Sequence, residues 1–423
     1  MGDKLAIEGG TPVRTAPLPE HWPGALLYDE EEVEAITRVI RAKSPFRDYG
    51  LDCLHEADKF EEEAAKFFGV KYALGVNSGT SALQCAMAAL GIGPGQEVIV
   101  PGFMWVSTVA AVVLFGGIPV LAEIDETYNM DPEDLKRKIT PRTTAVIVVH
   151  MRGSAANLPA LMEVTREAGI KVIEDTSQAC GSSIDGKLLG SWGDMGTFSL
   201  QYNKNMTTGE GGFFLTNEDL YAQRAKAWLD LGFQRDGAVL TAPPGYPVIW
   251  GSGSRFVETT AALARVQLRK LPKTVKMMCE HQQRVIGGIR DLPGITFRRL
   301  VDPESDSGYC VGLRMKDGKT ADWFVQALRA EGVPCISGAE EGLHVYSAMK
   351  NLTEKRSISP DGYPWTHPAN EPYVREYGKG SLPRTDELME QWVAIWMPPT
   401  MTEEDDQDII KAVRKVYAHL PGS

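Results

Sequence analysis

Nowhere in the 423 residues does an apolar run reach the roughly eighteen needed to cross a membrane as a helix. The opening stretch MGDKLAIEGGTPVRTAPLPEHW also lacks the apolar centre of a secretory signal. Cysteine is scarce. Cys53, Cys85, Cys180, Cys279, Cys310 and Cys335 are scattered without a C-x-x-C pair or a His-rich tract beside them. So long a chain with so few cysteines reads as a protein of reduced thiols, without a disulfide framework, and no metal ligand is assigned. Positive charge is in deficit, with a net charge of −12. That balance excludes a surface built for nucleic acid or anionic membrane, both of which need a positive field. Together these shortfalls lead to the expectation of a cytoplasmic protein, and they are neutral on small-molecule chemistry. Internal repeats and low-complexity segments are absent too.

Seven short runs rich in β-branched and aliphatic residues follow one another from about residue 70: YALGVN, EVIVP, IPVLAEID, TAVIVVH, KVIEDTS, MGTFSL and GGFFLTN. Helical patterns lie between several of them, as in SALQCAMAALG, where Leu83, Met87 and Leu90 mark one apolar stripe. Apolar strands alternating with helices imply an α/β sheet covered on both faces. After about residue 270 the pattern changes. RKLPKTVKMMCEHQQRVIGGIRDL reads as a long helix, and GITFRRL, YCVGLRM and TADWFVQALRAEGV as a small α+β unit. TAPPGYPVIWGSGSR reads as a loop. A chain of this length is expected to hold two domains, here 1–268 with the N-terminal segment and 269–423.

Three stretches carry groups suited to chemistry. In GVNSGTSALQ a strand gives way to Ser78, Gly79, Thr80 and Ser81 and then to a helix. Free N–H groups at such a helix start favour a phosphate, although the same residues also serve as plain caps. VIEDTSQACG brings Glu174 and Asp175 to a strand end, where ligands of α/β sheets lie. Extended backbone sends them to opposite faces, so one alone can face a site. FSLQYNKN supplies the Ser199 hydroxyl and the Lys204 amine, which can bond a carbonyl as an imine or move protons. Phosphate cradle, strand-end carboxylate and loop lysine, in that order, are the three attachments pyridoxal phosphate needs.

With these motifs the chain resembles the sugar aminotransferases of the DegT/DnrJ/EryC1/StrS family, within the fold-type I pyridoxal-phosphate enzymes. The resemblance runs through GGTPVR, SGTSAL, GIGPGQEVIVPGFMWVST, IPVLAEID, VVHMRG, IEDTSQACG, GDMGTFSLQYNKNMTTGEGG and AALARVQLRKL. EIDET, VHM-x-G and PFRDYG look similar to the branch that aminates a keto eight-carbon sugar acid. The resemblance implies a mainly parallel seven-stranded sheet covered by helices, a smaller C-terminal α+β domain, and a homodimer with active sites at the subunit interface. It implies transfer of an amino group from an amino acid, glutamate or glutamine, to a keto sugar or related polyhydroxy ketone.

Carried over position by position, Lys204 would bond the cofactor and carry protons, and Asp175 would pair with its ring nitrogen. Gln178 would sit by the ring hydroxyl, Trp105 would stack on the ring, and Ser78, Gly79, Thr80 and Ser199 would hold the phosphate. Arg47, Tyr49, Arg152 and His344 are candidates for substrate binding, with structural ion pairs the alternative for the two arginines and a surface role for His344. GSGSR departs from the family's G-x-N-x-R, so Gly253 replaces an Asn that reaches the phosphate across the dimer. Two further readings stand beside amination. Dehydratases of the same family carry histidine at the lysine position, and Lys204 argues against that reaction. A non-catalytic member that retains cofactor or sugar is the other.

Overall fold

A computed structural model describes residues 4–303 and 306–420; the first three residues of the expected first domain and the last three of the second lie outside them. The seven apolar runs form one sheet: β1 (Tyr72–Val76), β2 (Glu97–Pro101), β3 (Ile118–Ala122), β4 (Thr143–Val149), β5 (Lys171–Asp175), β6 (Met195–Ser199) and β7 (Gly212–Thr216). Their spatial order is β1-β7-β6-β5-β4-β2-β3. β7 alone runs against its neighbours, pairing antiparallel with both β1 and β6, while the pairs from β6 to β3 are parallel. Strands with both faces buried need apolar residues throughout, which is why they read as continuous runs.

The helix Gly79–Leu90 is buried on nearly every side rather than along one stripe. It lies between the sheet and the helix Asp219–Leu229, and its alanines allow both neighbours to approach. The long helix runs Glu258–Ile289, starting eleven residues before the apparent pattern and carrying Pro272 inside. Proline is unfavourable within a helix, and here it is carried about four turns from the start. The expected division at 268/269 falls within this helix. Ala262 and Val266 pack on Ala35 and Val39 near its start, whereas Val285 and Ile289 join Val413 and Val416 in the C-terminal core.

That C-terminal unit holds an antiparallel sheet of β8 (Thr296–Phe297), β9 (Cys310–Arg314), β10 (Cys335–Ser337) and β11 (Trp392–Trp396), in the order β8-β9-β11-β10. Leu5 and Leu18 of the N-terminal segment pack into its core. Tyr309, Trp392 and Ala394 meanwhile belong to the large core with β1 and β4 residues. The two units therefore share apolar contact beside the C-terminal ends of the strands. Among the described residues no helix is long and apolar enough to cross a membrane.

Candidate active site

A cavity of about 470 Å³ opens at the C-terminal edge of the sheet. Ser78, Gly79, Thr80, Trp105, Asp175, Gln178, Ser199, Lys204 and His344 all line it. At its floor β1 passes into the helix Gly79–Leu90, with Ser78 as N-cap: its Oγ accepts from Ser81 N at 3.1 Å. The Ser81 hydroxyl donates to Asn77 Oδ1 at 2.6 Å, and Thr80 Oγ1 donates to Ser107 Oγ at 2.9 Å. First-turn N–H groups of a helix have no intrahelical acceptor, so those of Gly79 and Thr80 remain for an anion. A Cβ on Gly79 would stand 2.7 Å from Ser199 Cβ. Glycine lets β6 and this helix close to one narrow cradle.

The two strand-end carboxylates separate as extended geometry requires. Glu174 turns away from the cavity and accepts from Gly190 N, Trp192 N and Gly193 N, with His150 Nε2 at 3.2 Å. Asp175 faces the cavity, its Oδ2 accepting from Thr108 Oγ1 at 2.8 Å and its Oδ1 from Ser177 N at 3.2 Å. Both oxygens are thus fixed before any ligand arrives.

Lys204 follows β6 in a loop pinned by the N-terminal segment, where Gly24 N donates to the Lys204 carbonyl at 3.0 Å. Burial pulls its amine down to about 8; Asp175 opposes that shift, and the Arg152 guanidinium reinforces it. An amine partly neutral near physiological pH is poised to attack a carbonyl and to exchange protons.

Above these groups, Trp105 is the N-cap residue of the helix Val106–Leu114, 42% exposed, with its ring 4.8 Å from that of His344. His344 Nδ1 lies 2.9 Å from the Glu341 carbonyl and 3.5 Å from Arg152 Nη2. Burial, aided by Arg152, holds its pKa down at about 4. Gln178 Oε1 accepts from Arg152 N at 3.1 Å.

The remaining candidates stand elsewhere. Arg152 lies behind this cavity in the left-handed region, with φ of 51°. Its guanidinium pairs with buried Glu341 through Nε at 3.2 Å and through Nη2, and lies 5.0 Å from the Trp396 ring centre. Arg47 does not line the cavity: it is buried, its Nη1 meeting Glu61 and its Nη2 meeting Asp58, each at 2.8 Å. Tyr49 is half exposed against Phe46, outside the cavity within this chain. In the GSGSR segment, Gly253 has φ of 71°, and Arg255 Nη1 is held by Asp230 at 2.7 Å. Among the described residues no cluster of three or more His, Cys, Asp or Glu is placed to hold a metal ion.

Sequence reasoning passed over Ser107, Ser177, Gln201, Asn203 and Glu210, which also line the cavity, and Thr108, which fixes Asp175. Ser107 and Thr108 had a signal in hydroxyl residues at a helix start, just after Trp105. The arrangement offers donors for an anion, a fixed carboxylate for a cationic heterocycle, and an amine for a carbonyl, all in one cavity.

Comparison with known proteins agrees with that chemistry. Residues 28–414 match the DegT/DnrJ/EryC1/StrS aminotransferase family. The putative L-glutamine:3-amino-2,3-dideoxy-scyllo-inosose aminotransferase of Micromonospora echinospora is 32% identical over 99% of this chain and 98% of its own length. The aminotransferase of Psychrobacter cryohalolentis superposes with a TM-score of 0.80 at 25% identity, covering 96% of this chain and all of that one. NtdA of Bacillus subtilis, solved with bound cofactor PMP, shares the fold with a TM-score of 0.77 at 21% identity, over 96% of this chain and 86% of that one. The sheet is that of a fold-type I transferase, and the chain belongs to the DegT/DnrJ/EryC1/StrS aminotransferase family.

Proposed function

We propose that the protein moves an amino group from glutamate or glutamine to a keto sugar or related polyhydroxy ketone, with pyridoxal phosphate as cofactor. The observation that carries this reading is one cavity lined by a free helix N-terminus, the doubly anchored Asp175 and the desolvated amine of Lys204. The Micromonospora relative is named for a glutamine donor and a cyclitol ketone, and NtdA binds PMP. Both lie within the proposed chemistry.

The residues present fit this cofactor. The N–H groups of Gly79 and Thr80, with the Ser78 and Ser199 hydroxyls, suit the phosphate; the Gly79–Ser199 approach leaves no side chain in its place. Asp175 offers fixed charge to the ring nitrogen, Trp105 a face for the ring, and Gln178 a partner for the ring hydroxyl. Bound there, pyridoxal phosphate supplies the electron sink through which the amino group changes carrier. Lys204 Nζ takes and returns the proton in each half of the exchange, and Thr108 holds Asp175 so that its charge does not turn away. Lysine at 204 favours amination over dehydration.

We also propose a homodimer in the cytoplasm. Leu231, Val239, Val248, Trp250 and Val257 are large apolar residues 41–93% exposed within one stretch of chain. Such exposure suits a covered face. The likeness to the keto eight-carbon acid branch rests on sequence motifs, and such an acid is itself a polyhydroxy ketone. The test is spectral: the visible band of the cofactor-loaded protein should change on adding glutamate or glutamine and return on adding a ketone acceptor. Turnover by Lys204→Ala would overturn the reading.

A further inference from the structure

A second chamber of about 400 Å³ lies beside the first, and Asn203 lines both. Its wall is made by the N-terminal strap around His21 and Trp22, by Arg152 behind Lys204, and by Tyr309 and Trp396 of the C-terminal unit. The strap is tied to the lysine loop by Gly24 N on the Lys204 carbonyl and by Tyr28 Oη donating to the Thr207 carbonyl at 2.9 Å. The strap that walls the chamber is therefore bonded to the loop that carries the reacting amine.

Three polar atoms here are buried without a hydrogen-bond partner: both ring nitrogens of His21 and Oδ1 of Asn203. Leaving a buried polar atom unmatched costs about 1–3 kcal/mol, and native chains keep few such atoms. The His21 ring is stacked on Trp396 at 5.4 Å and meets Tyr309 edge-on at 4.3 Å. An apolar ring would fill that slot without the cost, so packing alone does not account for histidine.

Charge narrows what the chamber accepts. Burial and the nearby Arg152 push the His21 pKa down to about 3, so the ring is neutral, with one N–H and one lone pair. Arg152 already has Glu341 as counter-ion, and Glu20 adds a carboxylate at the rim, accepting from Trp22 Nε1. An anionic ligand would meet Glu20 and find no unmatched cation. A hydroxyl group can both donate and accept, as the neutral imidazole and the Asn203 amide require. Flat aromatic rings beside neutral polar groups suit the apolar faces and hydroxyl rim of a polyol ring.

Resting on the proposed amination of a polyhydroxy ketone, we propose that this chamber is the subsite for the uncharged, hydroxyl-bearing ring of the acceptor, with His21 and Asn203 determining its specificity. The ring sits past Asn203 while its carbonyl reaches toward Lys204.

Equilibrium binding tests this on the cofactor-loaded full chain, with scyllo-inosose as the probe and quenching of Trp22 and Trp396 fluorescence as the readout. Saturable quenching is expected, weakened roughly tenfold in His21→Phe, which keeps the stacked ring and drops only the nitrogens, and several-fold in Asn203→Ala. UDP should not displace the probe. No saturable quenching by the native chain, equal affinity in both variants, or displacement by UDP would each overturn the proposal. The donor reaction separates the two readings. A spectral response to glutamate or glutamine without polyol binding sinks the chamber alone, whereas loss of that response in the native protein sinks the amination on which it rests.

Discussion

Thr108 donates its hydroxyl to Asp175 across the top of the sheet, 2.8 Å from Oδ2 and with both side chains buried. The bond ties the helix Val106–Leu114 to the end of β5. It leaves the carboxylate a single orientation.

Asp175→Asn should therefore abolish transfer, because the amide removes the charge meant for the ring nitrogen. Thr108→Val should keep the charge and free its orientation, lowering kcat about tenfold, the scale of one charge-assisted hydrogen bond. Steady-state kinetics of both variants, with retention of cofactor on gel filtration, checks the difference.

The Lys204 amine, lowered to about 8 against an ordinary 10.5, has a worked sign. Below pH 8 the amine is charged in both states and the folded chain bears the full desolvation cost. Between 8 and 10.5 the unfolded chain binds more protons, so stability rises with pH; above 10.5 the cost is gone. In cofactor-free protein Lys204→Met should thus raise Tm at pH 7, by free energy on the order of 1–3 kcal/mol, and the gain should vanish near pH 11. A gain that does not change with pH would contradict the assignment.

Arg152→Met should be far worse than Arg152→Met/Glu341→Gln. The single change strands Glu341, which is fully buried, at a cost of about 3–5 kcal/mol. The double change removes both charges. It also lifts Arg152's downward pull on Lys204, so the amine should titrate above 8 in the double variant. Denaturant melts and a pH titration of the cofactor-free protein read both effects.

Arg47→Ala gives the contrasting case. Its partners Glu61 and Asp58 are structural, so stability should fall by about 3 kcal/mol. The spectral response to an amino donor should persist in whatever folds. A donor response lost without a stability change would instead make Arg47 a substrate ligand.

Gly79→Ala closes the cradle. With Ser199 Cβ only 2.7 Å from the added methyl, overpacking of about 1–3 kcal/mol is expected, together with release of cofactor on dialysis. Ser199→Gly in the same chain should restore part of both.

Much of this was readable without coordinates, for physical reasons. Seven fully buried strands leave continuous apolar runs, and ligands of such sheets sit at strand ends, so Ser78, Asp175 and Lys204 could be placed near one another from order alone. Strand alternation could not choose between Glu174 and Asp175, and only the family resemblance named Asp175. The physical reason lies in the loop 190–193, whose N–H groups claim Glu174. Nor could the sequence pair Arg152 with Glu341, 189 residues away, or bring His21 to Trp396, since such contacts carry no periodic signal. The start of the long helix was hidden for another reason, since a proline inside a helix is locally unfavourable. Packing on both halves of the Glu258–Ile289 helix accommodates Pro272 within it.

The Gly24 contact has a consequence for how such a chain can change. A methyl at position 24 would lie 2.9 Å from Thr207 N and 3.0 Å from the Lys204 carbonyl. The strap, held at Gly24 and Tyr28, is here joined directly to the loop that carries Lys204. New acceptors would have to be learned by side chains of the strap, His21 among them, while its backbone stays where it is.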